Sequence, residues 1–247
     1  MTAVRHPILV TGASRGIGRA ICLSLSKAGW PTVAWARSQR ELETLAAEAT
    51  GPAPLVQHVD LADPKSIRLG LHALRARGVR IGSLVLNAGA GRWKPLAEQS
   101  PEEWQRAQQV NVDANYLLLH ELLPDIKATP SGAILALLSD SALYPFAERT
   151  AYGASKAALK MLLESVRREV RPHGTRVILL SPSRVDTYFQ GSRAVAEPGS
   201  RPGALTAHEV ADVALFALSQ PPHVELREIQ LSATSASYGP YDDLASP

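Results

Sequence analysis

Thr11-Gly12-Ala13-Ser14-Arg15-Gly16-Ile17-Gly18 follows directly on the apolar run Pro7 to Val10 and opens into an amphipathic segment, Gly16 to Ala28. Glycine lets a backbone approach a bound group closely and adopt turns closed to other residues. A helix N-terminus presents unpaired N–H groups and the positive end of its dipole, which together favour an anion. A strand, a glycine turn and a helix in that order suit the pyrophosphate of a dinucleotide. A plain strand-to-helix turn is the competing reading, and the coincidence of three glycines with strand and helix argues against it.

Working outward, further β-branched or aliphatic runs occur at Thr32 to Ala36, Pro54 to Val59, Ser83 to Leu86, Ala133 to Leu138, Arg176 to Leu180 and Glu228 to Leu231. Several are continuously apolar, as strands covered on both faces should be. Between them, helical periodicity marks Gln39 to Ala49, Pro64 to Arg77, Pro101 to Leu123, Ala151 to Arg171 and Ala207 to Leu218. Asp63-Pro64 and Ser100-Pro101 each place a capping residue before a proline at the first helical position. The alternation predicts an α/β fold, a doubly wound parallel sheet of about seven strands between two helical layers. No fixed-period repeat or Pro/Gly/Ser linker divides the chain, so residues 1–247 are expected to form one domain. Tyr188 to Leu205 mixes Gly, Pro, Ser and Arg without an apolar period and is expected to be a small substrate lid.

The balance of 26 basic against 23 acidic residues is scattered along the chain, which excludes a dedicated nucleic-acid surface. With 45% hydrophobic and 20% charged residues the chain has the composition of an ordinary globular protein rather than of a disordered or fibrous one. Cys22, without an intramolecular partner, reads as a small buried thiol in a reducing compartment. No run approaches the roughly 18 apolar residues of a membrane span. No membrane role and a cytoplasmic location are expected, and no metal site.

The second strand ends Ala34-Trp35-Ala36-Arg37. A carboxylate near this position binds a free ribose 2′-hydroxyl, whereas arginine accommodates a 2′-phosphate. Arg37 supplies a guanidinium there and Arg15 a second one from the glycine loop, which points to NADP(H) over NAD(H). Two solvated surface arginines would be the plainer reading.

Farther along, Ser139-Asp140-Ser141 ends the fifth strand, and Ala151-Tyr152-Gly153-Ala154-Ser155-Lys156 begins the next helix. The spacing places Tyr152 and Lys156 on one helical face. A phenol titrates near 10 on its own, and a neighbouring ammonium is expected to lower that value and make Tyr152 a usable acid or base.

With these motifs in hand, the chain resembles a classical-type short-chain dehydrogenase/reductase from Pro7 to about Leu231. Thr11 to Gly18 matches the family's Thr-Gly-x-x-x-Gly-x-Gly loop, Asn87-Ala88-Gly89 its Asn-Ala-Gly element, and Tyr152 to Lys156 its Tyr-x-x-x-Lys. Ser139 stands at the family's distance before the tyrosine, and Asn111, in Val110-Asn111-Val112, matches its helical asparagine.

The resemblance implies a Rossmann-type fold and a catalytic tetrad of Asn111, Ser139, Tyr152 and Lys156. Ser139 would hold the substrate oxygen, Tyr152 exchange the proton, Lys156 bind the nicotinamide ribose, and Asn111 hold a water linking Lys156 to solvent. Gly12, Ser14, Arg15, Gly16, Ile17, Gly18, Arg37, Asn87, Ala88, Gly89 and Val110 would line the cofactor cleft with Tyr152 and Lys156. Asp60 and Leu61 would contact adenine, and Pro182, Val185 and Thr187 the carboxamide. Ser183 stands where the family usually has glycine, and a positive φ there would strain it. The activity implied is hydride transfer between NADP(H) and a small carbonyl or secondary alcohol. A non-catalytic NADP(H)-binding sensor or regulator is the alternative, and the complete tetrad argues against it.

The substrate pocket is expected from Ser139, Ser141, Leu143, Tyr144, Trp93 and Tyr188. Arg92, Arg184 and Arg193 are possible anion contacts that suit a solvated surface better. Family members pair their long helices in dimers or tetramers, and Leu117, Leu118, Leu122, Leu159 and Leu163 are compatible with such a face or with an ordinary core.

Overall fold

The structure is a computed structural model that describes residues 6–189, 198–199 and 201–234. Seven strands, β1 (Ile8–Thr11), β2 (Thr32–Ala36), β3 (Leu55–His58), β4 (Ser83–Leu86), β5 (Ala133–Leu137), β6 (Arg176–Pro182) and β7 (Glu228–Leu231), form one sheet. Their order is β3-β2-β1-β4-β5-β6-β7, and every neighbouring pair is parallel. The helices are α1 (Gly16–Lys27), α2 (Gln39–Glu48), α3 (Pro64–Ala76), α4 (Pro101–Gln108), α5 (Ala114–Ala128), α6 (Thr150–Val170) and α7 (Ala207–Leu218). The seven-stranded parallel sheet with helices on both faces is the fold that the alternation of apolar runs predicts.

The period of two along each strand divides the core. Leu9, Val33, Leu84, Ile134 and Val177 face the α3, α5 and α6 layer. Ile8, Val10, Ala34, Val85, Leu135 and Ile178 face α1, α2 and α7. Central strands are therefore buried on both sides, whereas the edge strand β7 alternates exposed and half-buried positions. Leu117, Leu118, Leu122, Leu159 and Leu163 all lie in the core. Of the two readings open for them, the ordinary core is the one found, and the large apolar side chains that α4, α5 and α6 leave exposed are Trp104, Tyr116 and Met161.

Helix starts follow their capping residues. Asp63 accepts from the Lys65 amide ahead of α3, and Ser100 and Glu103 form a reciprocal capping box ahead of α4. The segment expected as one helix, Pro101 to Leu123, departs from that expectation twice. A π-helical turn, Gln109–Asp113, interrupts it, and α5 continues past Pro124 to Ala128. Proline removes only one helical N–H, and burial of Ile126 in the core holds the extra turn in place. Thr129 then closes it by donating to the Asp125 carbonyl at 2.8 Å.

β1 and β4 are neighbours from which the chain winds in opposite directions, and ligands in such sheets bind where the strand order reverses. The loops after these two strands are tied together. Asn87 Nδ2 donates to the carbonyls of Thr11 at 2.8 Å and Gly12 at 3.2 Å, and Thr11 Oγ1 accepts from the Asn87 and Ala88 amides.

Candidate active site

Beyond the carboxyl ends of β1, β2 and β4 lies a cleft of about 810 Å³. Gly12 and Gly16 turn its floor with φ of +67° and +56°. Gly18 serves a different purpose, because a Cβ there would lie 2.4 Å from both Asn87 Nδ2 and the Gly12 oxygen. Its bare Cα lets α1 start directly against the loop. Ser38, Asp63, Ser100 and Thr206 cap their helices with side-chain oxygens. Arg15, which precedes α1, provides no side-chain cap. The first amides of α1 are therefore left to a ligand, as an anion site at a helix start requires.

Of the residues expected to hold the cofactor, Gly12, Ser14, Arg15, Gly16, Ile17, Arg37, Asp60, Leu61, Asn87, Ala88, Gly89, Val110 and Thr187 line this cleft. Glu41 and Arg106 line it too and were not anticipated. Arg106 approaches the Asp60 carboxylate at 3.8 Å, and Asp60 Oδ1 also accepts from the Ala62 amide at 2.9 Å. Pro182 and Val185 stand outside the cleft wall: Pro182 ends β6 in register with Leu231, and Val185 bridges Leu205. Ser183 is free of the strain considered for it, since the positive-φ residues other than glycine are Ser131 and Glu148. Its hydroxyl accepts from the Arg184 amide at 2.5 Å.

Asn111 and Lys156 meet beside Gly89, and Tyr152 lies against Gly91. A Cβ on Gly89 would lie 3.6 Å from both Asn111 Oδ1 and Lys156 Nζ. Asn111, inside the π-helical turn, is fully buried. Its amide donates to the Ala90 carbonyl and to Ser155 Oγ, each at 2.8 Å, while Oδ1 accepts from the Ala90 amide. That side chain clamps the loop after β4 to α6, with both amide protons committed and one lone pair left on Oδ1. The Asn111 carbonyl accepts from Asn115 Nδ2 at 2.8 Å. A water expected on Asn111 would thus donate to an oxygen of that residue rather than accept from its amide.

Tyr152 and Lys156 lie on one face of α6, both buried. Lys156 Nζ donates to the Leu137 carbonyl at 2.7 Å and sits 5.8 Å from the Tyr152 ring centre. Burial pulls the ammonium down from 10.5 to about 8. Burial likewise pushes the Tyr152 phenol up to about 12, with Ser139 and Arg149 opposing the rise and Asp140 adding to it. The acidification expected from Lys156 is not among the influences on Tyr152 here: burial dominates both groups, and Lys156 is turned to Leu137.

Ser139 precedes a short 3-10 turn, Asp140–Ala142. Its hydroxyl donates to Asp140 Oδ1 at 2.8 Å and accepts from the Ser141 amide at 3.1 Å, and it acts on the Tyr152 phenol. Ser141 Oγ in turn accepts from Arg149 Nη1 at 3.1 Å. Asp140 and Arg149 belong to this network without having been singled out by motif.

A family model described as short chain dehydrogenase matches residues 6–197. The chain belongs to this family. It is 31% identical over 232 residues to an oxidoreductase of Staphylococcus epidermidis, covering 94% of this chain and 99% of that one. Among solved structures, an alcohol dehydrogenase of the archaeon Thermococcus sibiricus, complexed with 5-hydroxy-NADP, superposes with a TM-score of 0.87 at 30% identity, over 95% of this chain and 99% of the other. The closed form of a serine dehydrogenase complexed with NADP+ gives a TM-score of 0.87 at 26% identity, over 95% and 98% of the two chains.

Of the expected substrate residues in this dehydrogenase, Ser141 is buried beside Ser139, and Leu143 and Tyr144 are half-buried just beyond. Tyr188 lines the cleft, exposed. Trp93 packs on Tyr152 with ring centres 5.8 Å apart. Phe189, which no motif indicated, completes a triangle at 5.3 Å from Trp93 and 5.5 Å from Tyr152. These two rings roof Tyr152, so Ser139, Tyr152 and Lys156 lie behind the cleft wall rather than in it. The residues expected as a lid are described only as far as Phe189, at 198–199 and from Arg201 onward; Arg193 and the rest lie outside the described residues. Cys22 is a buried free thiol, as expected, pushed up to about 12 by its burial. Among the described residues no helix is long and apolar enough to cross a membrane.

Proposed function

We propose that this protein is an NADP(H)-dependent oxidoreductase that interconverts a small carbonyl compound and the corresponding secondary alcohol, built as one domain. The observation that carries the reading is that Asn111 and Lys156 meet at Gly89 and Tyr152 at Gly91, two glycines in the wall of a cleft floored by an uncapped helix start. When bound, the nicotinamide supplies or accepts the hydride. Every other task falls to side chains of this chain.

The amides at the head of α1 and the turn Gly12–Gly16 would hold the pyrophosphate. Arg37 and Arg15 line the same cleft and would take a 2′-phosphate by paired N–H bonds. The NADP-type ligands of the Thermococcus alcohol dehydrogenase and of the serine dehydrogenase support this choice. Ser139 would aim the Tyr152 hydroxyl, which in the reducing direction gives its proton to the developing alkoxide. A phenol pushed up by burial is well kept as an acid, and Lys156, within one helical turn, would stabilise the phenolate left behind. Substrate would enter by displacing Trp93 and Phe189, whose rings favour an apolar substrate body. Exposed Trp104, Tyr116 and Met161 support a homodimer or homotetramer built on α4 to α6.

The test is NADPH oxidation across a panel of aldehydes, ketones, oxoacyl thioesters and keto acids, for wild type and Tyr152→Phe. Wild-type turnover that falls by about a thousandfold or more in the variant is expected, the scale of a lost general acid with its oriented bond. Near wild-type rates in Tyr152→Phe would remove the proposed proton donor.

A further inference from the structure

Ser139 Oγ has one proton to give and two lone pairs to receive with. The proton is committed to Asp140 Oδ1 at 2.8 Å, and one lone pair accepts from the Ser141 amide at 3.1 Å. One lone pair is left on Ser139, the hydroxyl that eases ionisation of the Tyr152 phenol. A directed link results, Ser139 to Asp140, and it ends on a carboxylate that is itself buried. Asp140 also accepts from Ser141 Oγ at 3.3 Å.

The carboxylate has its own counter-ion. Arg149 Nη1 lies 3.6 Å from Asp140 Oδ1 and donates to Ser141 Oγ at 3.1 Å. The guanidinium is held in place from the other side, with its carbon 4.4 Å from the Phe146 ring centre and 5.6 Å from that of Trp93. Arg149 also precedes α6, the helix that carries Tyr152, and its carbonyl accepts from the Gly153 amide at 2.7 Å. One residue thus joins the turn after β5, the aromatic roof and the head of the catalytic helix.

We propose that Asp140 and Arg149 are positioning residues for the proton transfer, Asp140 fixing the direction of the Ser139 hydroxyl and the two opposite charges together setting how readily Tyr152 gives up its proton. This rests on the function proposed above. The charged groups facing Tyr152 are Asp140 from the turn after β5, Arg149 from the head of α6, and Lys156 one turn along α6. Trp93 and Phe189, from the segments after β4 and β6, are neutral, as is Asn111. A carboxylate near a phenol opposes its ionisation and a guanidinium favours it, which is the sense in which Asp140 and Arg149 act on Tyr152. Because the two lie in one ion pair, each offsets the other.

The experiment is the pH profile of kcat/KM for reduction of whichever panel carbonyl the wild type turns over fastest, with melting temperature measured alongside. Asp140→Asn is expected to move the alkaline limb down by about one pH unit and Arg149→Gln to move it up by about as much, the scale of a single nearby charge. The double variant should return toward wild type, and Asp140→Glu and Arg149→Lys, which keep the charges, should track it. A merely structural role would lower rates without moving the limb in opposite senses. Singles that superimpose on wild type, or that shift together, overturn the inference. Should Asp140→Asn fail to fold, Arg149→Gln against Arg149→Lys carries the same test. If Tyr152→Phe is inactive while these profiles coincide, only the inference fails; if Tyr152→Phe is active, the underlying function fails first.

Discussion

Replacing Lys156 by Met is expected to make the protein more stable at neutral pH while abolishing turnover. Lys156 is 2% exposed and donates to the Leu137 carbonyl at 2.7 Å. Burial lowers the ammonium from 10.5 to about 8, a fall that corresponds to about 3 kcal/mol held against the folded state. Methionine keeps a flexible stem of similar volume without the charge. Loss of the bond to Leu137, whose donor is charged, gives back about 2 kcal/mol. The net gain is about 1 kcal/mol, or about 3 °C in melting temperature for a chain of this size.

The pH dependence fixes the sign. The folded-state value lies below the unfolded one, so the penalty is complete below about pH 8, shrinks as the pH rises toward 10.5, and is gone above it. The advantage of Lys156→Met should therefore narrow between pH 8 and 10.5. Tyr152 and Cys22, both raised by burial, destabilise the fold above about pH 9 to 10 in the two proteins alike and so drop out of the difference. Urea unfolding of both proteins at pH 7, 9 and 10 measures it. A variant less stable than wild type at pH 7, or an advantage that stays constant across this range, refutes the burial argument.

Two further substitutions separate close packing from backbone conformation in the glycines. Gly18→Ala places a methyl 2.4 Å from the Gly12 oxygen and Asn87 Nδ2. Overpacking of this kind costs about 1–3 kcal/mol and displaces the head of α1, so NADPH affinity by fluorescence titration should fall about tenfold or more. Gly29→Ala meets nothing within 4 Å but sits at φ +77°; it should lose about 1 kcal/mol of stability with cofactor affinity unchanged. Equal NADPH affinity in Gly18→Ala and wild type would show that the loop does not need this contact. Arg37→Asp should reverse the preference between NADPH and NADH in kcat/KM, and a wild type that uses NADH better would overturn the assignment of the 2′-phosphate site.

The sequence reaches far into this protein because much of what it encodes is local. Apolar runs of period two, caps such as Ser100 with Glu103, and the glycines after β1 act within a few residues of themselves, and the strand and helix bounds follow them closely. The π-helical turn at Gln109–Asp113 and the passage of α5 through Pro124 escaped that reading, because burial of Asn111 and Ile126 by distant elements decides them. Phe189 escaped for the same reason: its ring matters only because the fold brings it onto Trp93 and Tyr152.

Residue types along the chain determined that a phenol, an ammonium, a hydroxyl and an amide would be available, and that a glycine turn would open a helix. Only the tertiary structure decided the rest. It aims the Ser139 proton at Asp140, spends the Asn111 amide on Ala90 and Ser155, and turns Lys156 to Leu137. The direction of a hydrogen bond and the protonation of a buried group depend on every polar atom within a few ångströms. Most of those atoms arrive from segments that are remote in the chain.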